Sequence, residues 1–327
     1  MKWGIDRSPI LTRMSELPGC GNFIHQQYDR YLRMKFEIDW RYIRNPASHR
    51  SLVKSPPRLN AIQRRIVDEL MARGVSLCHF DELLEDPGLW RRLSEQLCSW
   101  SSSSDVQSFI RKSQKEFADT QDLNAVPHYI ITYYPQDQKP LIAPGNPLLE
   151  MGLNSRILDV VNTYLGMWSK LIYFDMWHTM PLNTDTRILS QRWHRDPEDR
   201  RKIRTFLYFN TVDEDSGAME YFVGSQSGGP YENVFPWKDP LQTPYPPDGE
   251  VENQMPPKEH IFLAGPPGTL VFCDTAGFHR GGTAKLRPRI LATAAYVTPA
   301  SLHHQRYRIT HELSHSKLNP EARFALT

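Results

Sequence analysis

The sequence predicts a mainly β fold, a β-sandwich or jelly roll, with flanking helices. From about residue 127 the apolar stretches become short and rich in Tyr, Phe, Val and Ile, and turn-forming residues bound them, which is typical of strands. A helical lead-in precedes them without a flexible linker. Proline accounts for 26 of 327 residues, about 8% against a usual ~5%, and each proline removes a backbone donor. Many turns and strand edges are therefore expected.

The composition excludes several classes of protein. The 39 Lys and Arg residues nearly balance 37 Asp and Glu residues, so the basic excess of a nucleic-acid-binding protein is missing. No apolar run approaches the ~18 residues of a membrane span, and the first residues lack the apolar core of a signal peptide. Four cysteines without a C-x-x-C pair favour buried thiols over disulfides or a cysteine zinc site. We expect a cytoplasmic protein, and nothing indicates its oligomeric state.

Residues 1–126 are predicted to form an irregular and helical lead-in that packs on the core. Residues 1–57 are polar, irregular and rich in Arg and Tyr, and apolar residues then recur at helical spacing. The predicted elements are a helix from Leu59 that ends before Gly74, a strand over Val75–Phe80 and a second helix that begins at Asp86-Pro87.

Residues 127–300 are predicted to form the β core, and 301–327 a C-terminal extension of the same domain. One helix is expected over Ser155–Leu165. The expected strands are Tyr129–Tyr134, Leu171–Trp177, Ile188–His194, Phe206–Asn210, Ala218–Val223, Thr269–Cys273 and Ile290–Val297.

The segment Trp193-His194-Arg195-Asp196 carries the first candidate metal ligands. Residues i and i+2 of an extended strand point to one face, so His194 and Asp196 would present an imidazole and a carboxylate together. These are two of the three ligands in the 2-His-1-carboxylate triad of non-haem Fe(II) oxygenases. The pair alone is a weak signal, because His79-Phe80-Asp81 has the same spacing.

A third ligand must come from elsewhere, and His279 is the best candidate. It follows the predicted strand Thr269–Cys273 and precedes a glycine turn. Ten residues later, Arg289 heads the last predicted strand. A planar guanidinium binds carboxylates with two hydrogen bonds, as the far carboxylate of 2-oxoglutarate would require. Arg287, two residues earlier, is the alternative.

The second H-x-D pair allows a competing site. His79 and Asp81 with His178 as the distal ligand would place Arg187 nine residues later, so spacing alone does not exclude it. His79, however, lies between two helical patterns and outside the strand-rich region. We therefore favour the site at His194.

Three blocks, in order, resemble the phytanoyl-CoA dioxygenase family of Fe(II)/2-oxoglutarate oxygenases. The first is Trp193–Asp196 followed by Thr205–Asp213, the second is Asp215–Gln226, and the third is Gly268–Gly282 followed by the Arg289 strand. The resemblance covers about 185–300 well and 127–185 loosely. One departure is Gln226, where the family often has His.

The resemblance implies a double-stranded β-helix, a cupin-like jelly roll, with iron near one mouth. His194, Asp196 and His279 would bind Fe(II), and Arg289 would bind the far carboxylate of the cosubstrate 2-oxoglutarate. Thr283 is the nearest candidate for the Ser or Thr that assists this arginine in the family. Asp196 stands where halogenating relatives have a small residue, which favours hydroxylation, desaturation or cyclisation.

Four neighbouring residues are weaker candidates. Arg192 shares the parity of the ligands and could contact the substrate, or it could be a surface arginine. Gln191 would reach the cosubstrate if the strand bulges, and Trp177 and His178 could line the pocket or belong to the core. The charged run from Arg195 to Arg204 is expected to be a solvated turn, with recognition of a substrate carboxylate or phosphate as the alternative.

Residues at about 227–267 form a proline-rich insert in the predicted core. Ten of the 26 prolines fall between Pro230 and Pro267, without a clear helix or strand period. Loops of this length are usually functional or disordered. The segment is expected either to cross the mouth of the core, where it would influence substrate choice, or to wrap a surface away from the site.

The expected function is oxidation, by O2 and 2-oxoglutarate, of an unactivated C–H bond in a small metabolite, with release of succinate and CO2. Hydroxylation in a biosynthetic pathway is the favoured form. Two alternatives stay open. One is a non-catalytic cupin-like binding protein. The other is a zinc-dependent hydrolase, since two histidines and a carboxylate also suit zinc, although that reading leaves Arg289 without a role.

Overall fold

A computed structural model describes residues 31, 34–126, 129–135, 137–237, 245–314 and 317–327. The thiol prediction for Cys20 and the first 30 residues of the segment predicted to be irregular, 1–57, lie outside these ranges. The described remainder of that segment forms a π-helix over Asp39–Arg44 and an α-helix over Pro46–Lys54, so the prediction is wrong there. Cys78 and Cys273 are buried free thiols, as expected, whereas Cys98 is exposed.

Residues 34–38 are helical, and ten further α-helices have described bounds. They are α1 Pro46–Lys54, α2 Ala61–Arg73, α3 Phe80–Leu83, α4 Pro87–Ser101, α5 Ser104–Thr120, α6 Pro147–Gly152, α7 Ser155–Leu165, α8 Glu250–Gln254, α9 His311–Ser314 and α10 Pro320–Ala325. A π-helix over Asp39–Arg44 precedes them, and 3₁₀ turns occur at Leu189–Gln191 and Pro257–Glu259. No described helix has the length and apolar character needed to cross a membrane.

Eleven strands are described. They are β1 Val75–His79, β2 Ile130–Thr132, β3 Leu141–Ile142, β4 Lys170–Thr179, β5 Ile203–Tyr208, β6 Met219–Phe222, β7 His260–Leu263, β8 Thr269–Cys273, β9 His279–Arg280, β10 Arg289–Val297 and β11 Arg308–Ile309. The predicted jelly-roll core with flanking helices is confirmed, although helices contribute more of the described residues than strands do.

Two sheets build the core. The larger is antiparallel with the order β1-β8-β5-β10-β4-β2, and the smaller has the order β7-β6-β9. Alternate side chains of the large sheet, such as Phe206, Val271 and Leu291, pack against Met219 and Tyr221 of the small sheet. The intervening side chains face the other way because strand side chains alternate between faces.

The outer face of the large sheet packs against helices. Leu207, Phe272 and Ala292 share a core with residues of α2, α4 and α7. The start of α2 is capped by Asn60, and the helix ends at Gly74, whose φ of 80° needs no Cβ. The predicted end of this helix and the predicted bounds of α7 are confirmed.

Two sequence predictions about strands are wrong. Ile188–His194 is not a strand: Leu189 has a φ of 47° and begins a 3₁₀ turn, which breaks the extended run. The insert does not run to residue 267 without structure, because β7 pairs with β6 from Met219↔Leu263 to Phe222↔His260. The apolar run of β7 is short and lies between prolines, so its pairing partner was not evident.

Glu220 ties the small sheet together next to His279. Its buried carboxylate accepts hydrogen bonds from Arg187 at 2.7 Å, Arg280 at 2.6 Å and His260 at 2.7 Å. Burial raises the pKa of this carboxyl group, but the hydrogen bonds from His260 and Arg280 outweigh it and lower the pKa to about 2. The ionised form therefore stabilises the fold.

We expect Glu220→Gln to lower the free energy of unfolding by about 3 kcal/mol at pH 7, since it removes the buried charge that partners the partly buried Arg187 and Arg280. The folded pKa lies below the unfolded value of 4.5. This stability is therefore present above pH 4.5 and is lost as the pH falls towards about 2. Urea unfolding of the wild type and of Glu220→Gln at a series of pH values measures this pH-dependent stability. Glu95→Gln, in an exposed helical pair, is the control, and parallel pH profiles for wild type and Glu220→Gln would contradict the assignment.

Candidate metal centre and adjoining cavity

Backbone pairing brings two histidines side by side. His194 N donates to His279 O at 3.1 Å, and His279 N donates to His194 O at 3.1 Å. Residues that exchange both bonds in an antiparallel pair lie directly opposite each other, and the ring centroids are 4.2 Å apart. Asp196 follows two residues later, and its N–H donates to Thr275 O at 2.8 Å. The local backbone thus assembles the three side chains.

The ligand atoms of these side chains converge. Asp196 Oδ1 lies 3.7 Å from His194 Nε2 and 3.7 Å from His279 Nε2. His194 Nδ1 lies 2.8 Å from Arg192 O, and His279 Nδ1 lies 3.0 Å from Gly277 O. A carbonyl only accepts, so each Nδ1 carries the proton and each Nε2 offers its lone pair to the centre. This donor set fits a divalent metal ion.

The electrostatics favour the protonation states that bind metal. Burial lowers the pKa of His279 to about 3 and also lowers the pKa of His194, so both rings are neutral at pH 7. Burial alone would raise the pKa of Asp196, but Lys202 and Arg204 hold it well below its ordinary value. Among the residues that the structure describes, this is the single group of three side chains suited to hold a metal ion.

A cavity between the two sheets adjoins two of the candidate metal ligands, His194 and His279. Its wall is mostly apolar or aromatic, with two arginines. The lining residues are Tyr129, Ile130, Trp177, Ser190, His194, Arg204, Phe206, Tyr208, Met219, His279, Gly281, Arg289 and Leu291.

Of the two candidate arginines, only Arg289 reaches this cavity. It is 4% exposed, its Nη1 donates to Gly217 O, and its Nε has no partner among the described atoms. No described carboxylate forms an ion pair with it. Arg287 instead lies half-exposed and pairs with Asp213 and Asp215. Arg289 is thus a buried cation whose guanidinium still has N–H groups available to a bound anion.

Trp177 lines the cavity, but His178 does not. The two are neighbours on β4, so their side chains point to opposite faces of the sheet. His178 is buried, and burial lowers its pKa to about 4, so the ring is neutral. The suggestion that His178 contacts the substrate is therefore not supported.

Gln191 and Thr283 are also outside the cavity wall. Gln191 Oε1 accepts from Ile188 N at 3.3 Å and closes the 3₁₀ turn. Thr283 is buried, and no hydrogen bond between its hydroxyl and Arg289 is found in the described part of the chain. The hydroxyl-bearing residues of the cavity wall are Tyr208, whose hydroxyl donates to Leu263 O, and the pair Tyr129 and Ser190, whose oxygens are 2.6 Å apart. Neither member of this pair stood out in the sequence, because their proximity depends on tertiary contacts.

The proline-rich insert packs against the segment that carries Arg192, His194 and Asp196. Tyr245 lies with its ring centroid 5.5 Å from that of His194, and Arg192 donates to Asp248 at 2.8 Å. On the other side, Trp237 Nε1 donates to Asp196 O at 3.1 Å. These described parts of the insert therefore lie against the site. Arg192 contacts the insert instead of lining the cavity.

The charged run from Arg195 to Arg204 is mostly buried, so the prediction of a solvated turn is wrong. Arg195 donates to Ser225 O and Ala276 O, both at 2.6 Å. Lys202 is fully buried between two carboxylates. Distant carbonyls and acids satisfy these charges, which local sequence does not reveal.

The competing H-x-D pair has a structural role. His79 caps α3 by accepting from Asp81 N at 3.3 Å, and its Nε2 lies 3.3 Å from Pro267 O. Arg187 pairs with Glu220, on the small sheet. These residues do not form a metal-binding group among those described.

The similarity of this chain to known proteins lies in solved structures and not in sequence matches. No protein family matches the sequence, and no curated protein does. The solved structures that match include the epimerase SnoN in complex with Fe3+, alpha ketoglutarate and nogalamycin RO, at 12% identity over 75% of this chain and 87% of that chain (TM-score 0.49). EctD from S. alaskensis with 2-oxoglutarate and 5-hydroxyectoine matches at 15% identity over 78% and 81% (TM-score 0.44). EvdO2 from Micromonospora carbonacea var. aurantiaca complexed with 2-oxoglutarate matches at 14% over 74% and 92% (TM-score 0.41).

Proposed function

We propose that this protein is a non-haem Fe(II)- and 2-oxoglutarate-dependent oxygenase that acts on a small molecule. One juxtaposition carries the proposal: a 2-His-1-carboxylate group lies beside a cavity that holds the buried Arg289, and no carboxylate in the described part of the chain pairs with this arginine. The three sequence blocks that resemble the phytanoyl-CoA dioxygenase family support the same reading.

The three side chains suit Fe(II) because two neutral imidazoles and one carboxylate on one side leave further positions open for a cosubstrate and O2. When bound, iron with 2-oxoglutarate and O2 supplies the oxidation of a substrate C–H bond, coupled to formation of succinate and CO2. Asp196 completes the ligand set, so we favour hydroxylation, desaturation or cyclisation over halogenation.

The remaining residues of the cavity would bind the cosubstrate and keep water away from the reacting groups. Arg289 would hold the far carboxylate of 2-oxoglutarate, since a buried guanidinium pairs well with a planar anion. The hydroxyl groups of Tyr129 and Ser190 lie in the same cavity and are available to this carboxylate. Apolar walls at Phe206 and Leu291 exclude water from the reacting groups.

The insert is proposed to shape substrate choice. The guanidinium carbon of Arg192 lies 5.5 Å from the ring centroid of Tyr245, and this ring lies 5.5 Å from the ring of His194. A zinc hydrolase would use the same three ligands but would give Arg289 no anion to bind. A non-catalytic binding protein would not need both an intact ligand set and this arginine.

Iron titration tests the proposed function. Purified protein is supplied with Fe(II), 2-oxoglutarate and O2 in a screen of small metabolites, and succinate release is measured. We expect succinate with Fe(II), stimulated by the true substrate, and none with Zn(II). Metal analysis of gently purified protein serves as a second readout. Bound zinc without Fe(II)-dependent succinate release would contradict the proposal.

A further inference from the structure

Lys202 occupies an unusual place directly behind the metal ligands. Its side chain has no solvent exposure, and its Nζ donates to Asp196 Oδ2 at 2.9 Å and to Glu198 Oε2 at 2.7 Å. Lysine is almost never fully buried unless it is paired. The function proposed above assigns no task to this ammonium group.

The two oxygens of Asp196 are used differently. Oδ1 lies 3.7 Å from the Nε2 atoms of both histidines, whereas Oδ2 is bound by Lys202. Arg204 Nη1 is also 3.6 Å from Oδ2. The carboxylate is therefore oriented with one oxygen towards the metal centre and the other held away from it.

Glu198 keeps Lys202 in this place. Its Oε2 accepts from Lys202, and its Oε1 lies 3.8 Å from Arg204 Nη2. Glu198 is buried, so the pair is shielded from water. Asp196 and Glu198 thus alternate with Lys202 and Arg204, and the half-exposed Arg306 lies 3.7 Å from Glu198 Oε1 at the edge of the cluster.

Stability alone is a poor reason for this arrangement. Removing an ammonium and two carboxylates from water is costly, and well-packed apolar residues often stabilise a protein as much or more. Loss of a residue that hydrogen-bonds and orients a metal ligand, by contrast, typically changes metal affinity by about 10- to 100-fold.

We propose that Lys202 is a positioning residue that holds Asp196 as a one-oxygen metal ligand, with Glu198 anchoring Lys202. This arrangement leaves a coordination position open that a two-oxygen carboxylate would occupy. The inference rests on the proposed function, in that it takes the three-residue group to bind a metal.

The test measures metal binding without turnover. Lys202→Met, Glu198→Gln and the double variant Lys202→Met/Glu198→Gln are titrated with Mn(II), and the visible spectrum of Co(II)-loaded protein reports the coordination number. Lys285→Met, which removes an exposed lysine paired with Asp185, is the control. The double variant removes both charges of the pair, so it keeps the test valid if Lys202→Met alone unfolds.

We expect the double variant to fold and to bind Mn(II) about 10- to 100-fold more weakly than wild type, with a changed Co(II) spectrum. Glu198→Gln keeps the contact between Lys202 and Asp196, so its Mn(II) affinity should be closer to that of wild type. Lys285→Met should bind Mn(II) as tightly as wild type. Wild-type affinity and an unchanged Co(II) spectrum in the double variant would overturn the positioning role alone. Failure of the wild-type protein to bind any divalent metal would instead overturn the proposed function.

Discussion

The His279→Ala variant is expected to lose divalent-metal binding by more than about 100-fold, beyond the effect of a residue that only orients a ligand. His279 Nε2 is one of three ligand atoms that lie within 4.8 Å of one another. Without it, one imidazole and one carboxylate remain, which is too few to hold a metal in a site of this kind. Iron-dependent succinate release should disappear with the metal. Calorimetric titration with Mn(II) measures the first effect directly.

His79→Ala is the matched control for this variant. His79 belongs to the other H-x-D pair of the sequence but caps α3 at a distance from the cavity wall. Its loss should leave Mn(II) affinity unchanged. Equal metal affinity in wild type and His279→Ala would remove His279 from the ligand set.

Arg289→Gln is expected to weaken 2-oxoglutarate binding by about 100-fold or more. Removing one partner of a buried charge pair costs about 2–5 kcal/mol, and about 2.7 kcal/mol corresponds to 100-fold. Metal affinity should persist, because Arg289 is not among the metal-binding group. Anaerobic titration of the metal-loaded protein with 2-oxoglutarate separates the two effects.

Arg287→Gln provides the control for Arg289. Arg287 lies two residues earlier, is half-exposed and pairs with Asp213 and Asp215 outside the cavity. It should retain wild-type affinity for 2-oxoglutarate. If Arg287→Gln lost affinity and Arg289→Gln kept it, the assignment of the carboxylate-binding arginine would be reversed.

The metal group was predictable because its key feature is local. His194 and Asp196 stand two residues apart, and His279, which follows β8, pairs with His194 in an antiparallel bridge. The alternation of side chains along a strand could have excluded His178, since Trp177 and His178 cannot both face the cavity. Parity along a strand is therefore a sharper criterion than proximity in sequence.

The surroundings of the site were not predictable from local patterns. Lys202 looked like one charge in a solvated run, yet Asp196 and Glu198 bury it completely. Tyr129 and Ser190 are 61 residues apart and meet only in the folded protein. Both cases depend on side chains from separate segments, which a pattern within one segment cannot show.

The most direct test of the metal and cosubstrate site is anaerobic absorption spectroscopy of the wild-type protein with Fe(II) and 2-oxoglutarate. Chelation of iron by the 1-carboxylate and keto group of the cosubstrate should produce a weak visible charge-transfer band. We expect the band only when both Fe(II) and 2-oxoglutarate are present. No band at saturating concentrations of both would contradict the proposed oxygenase function.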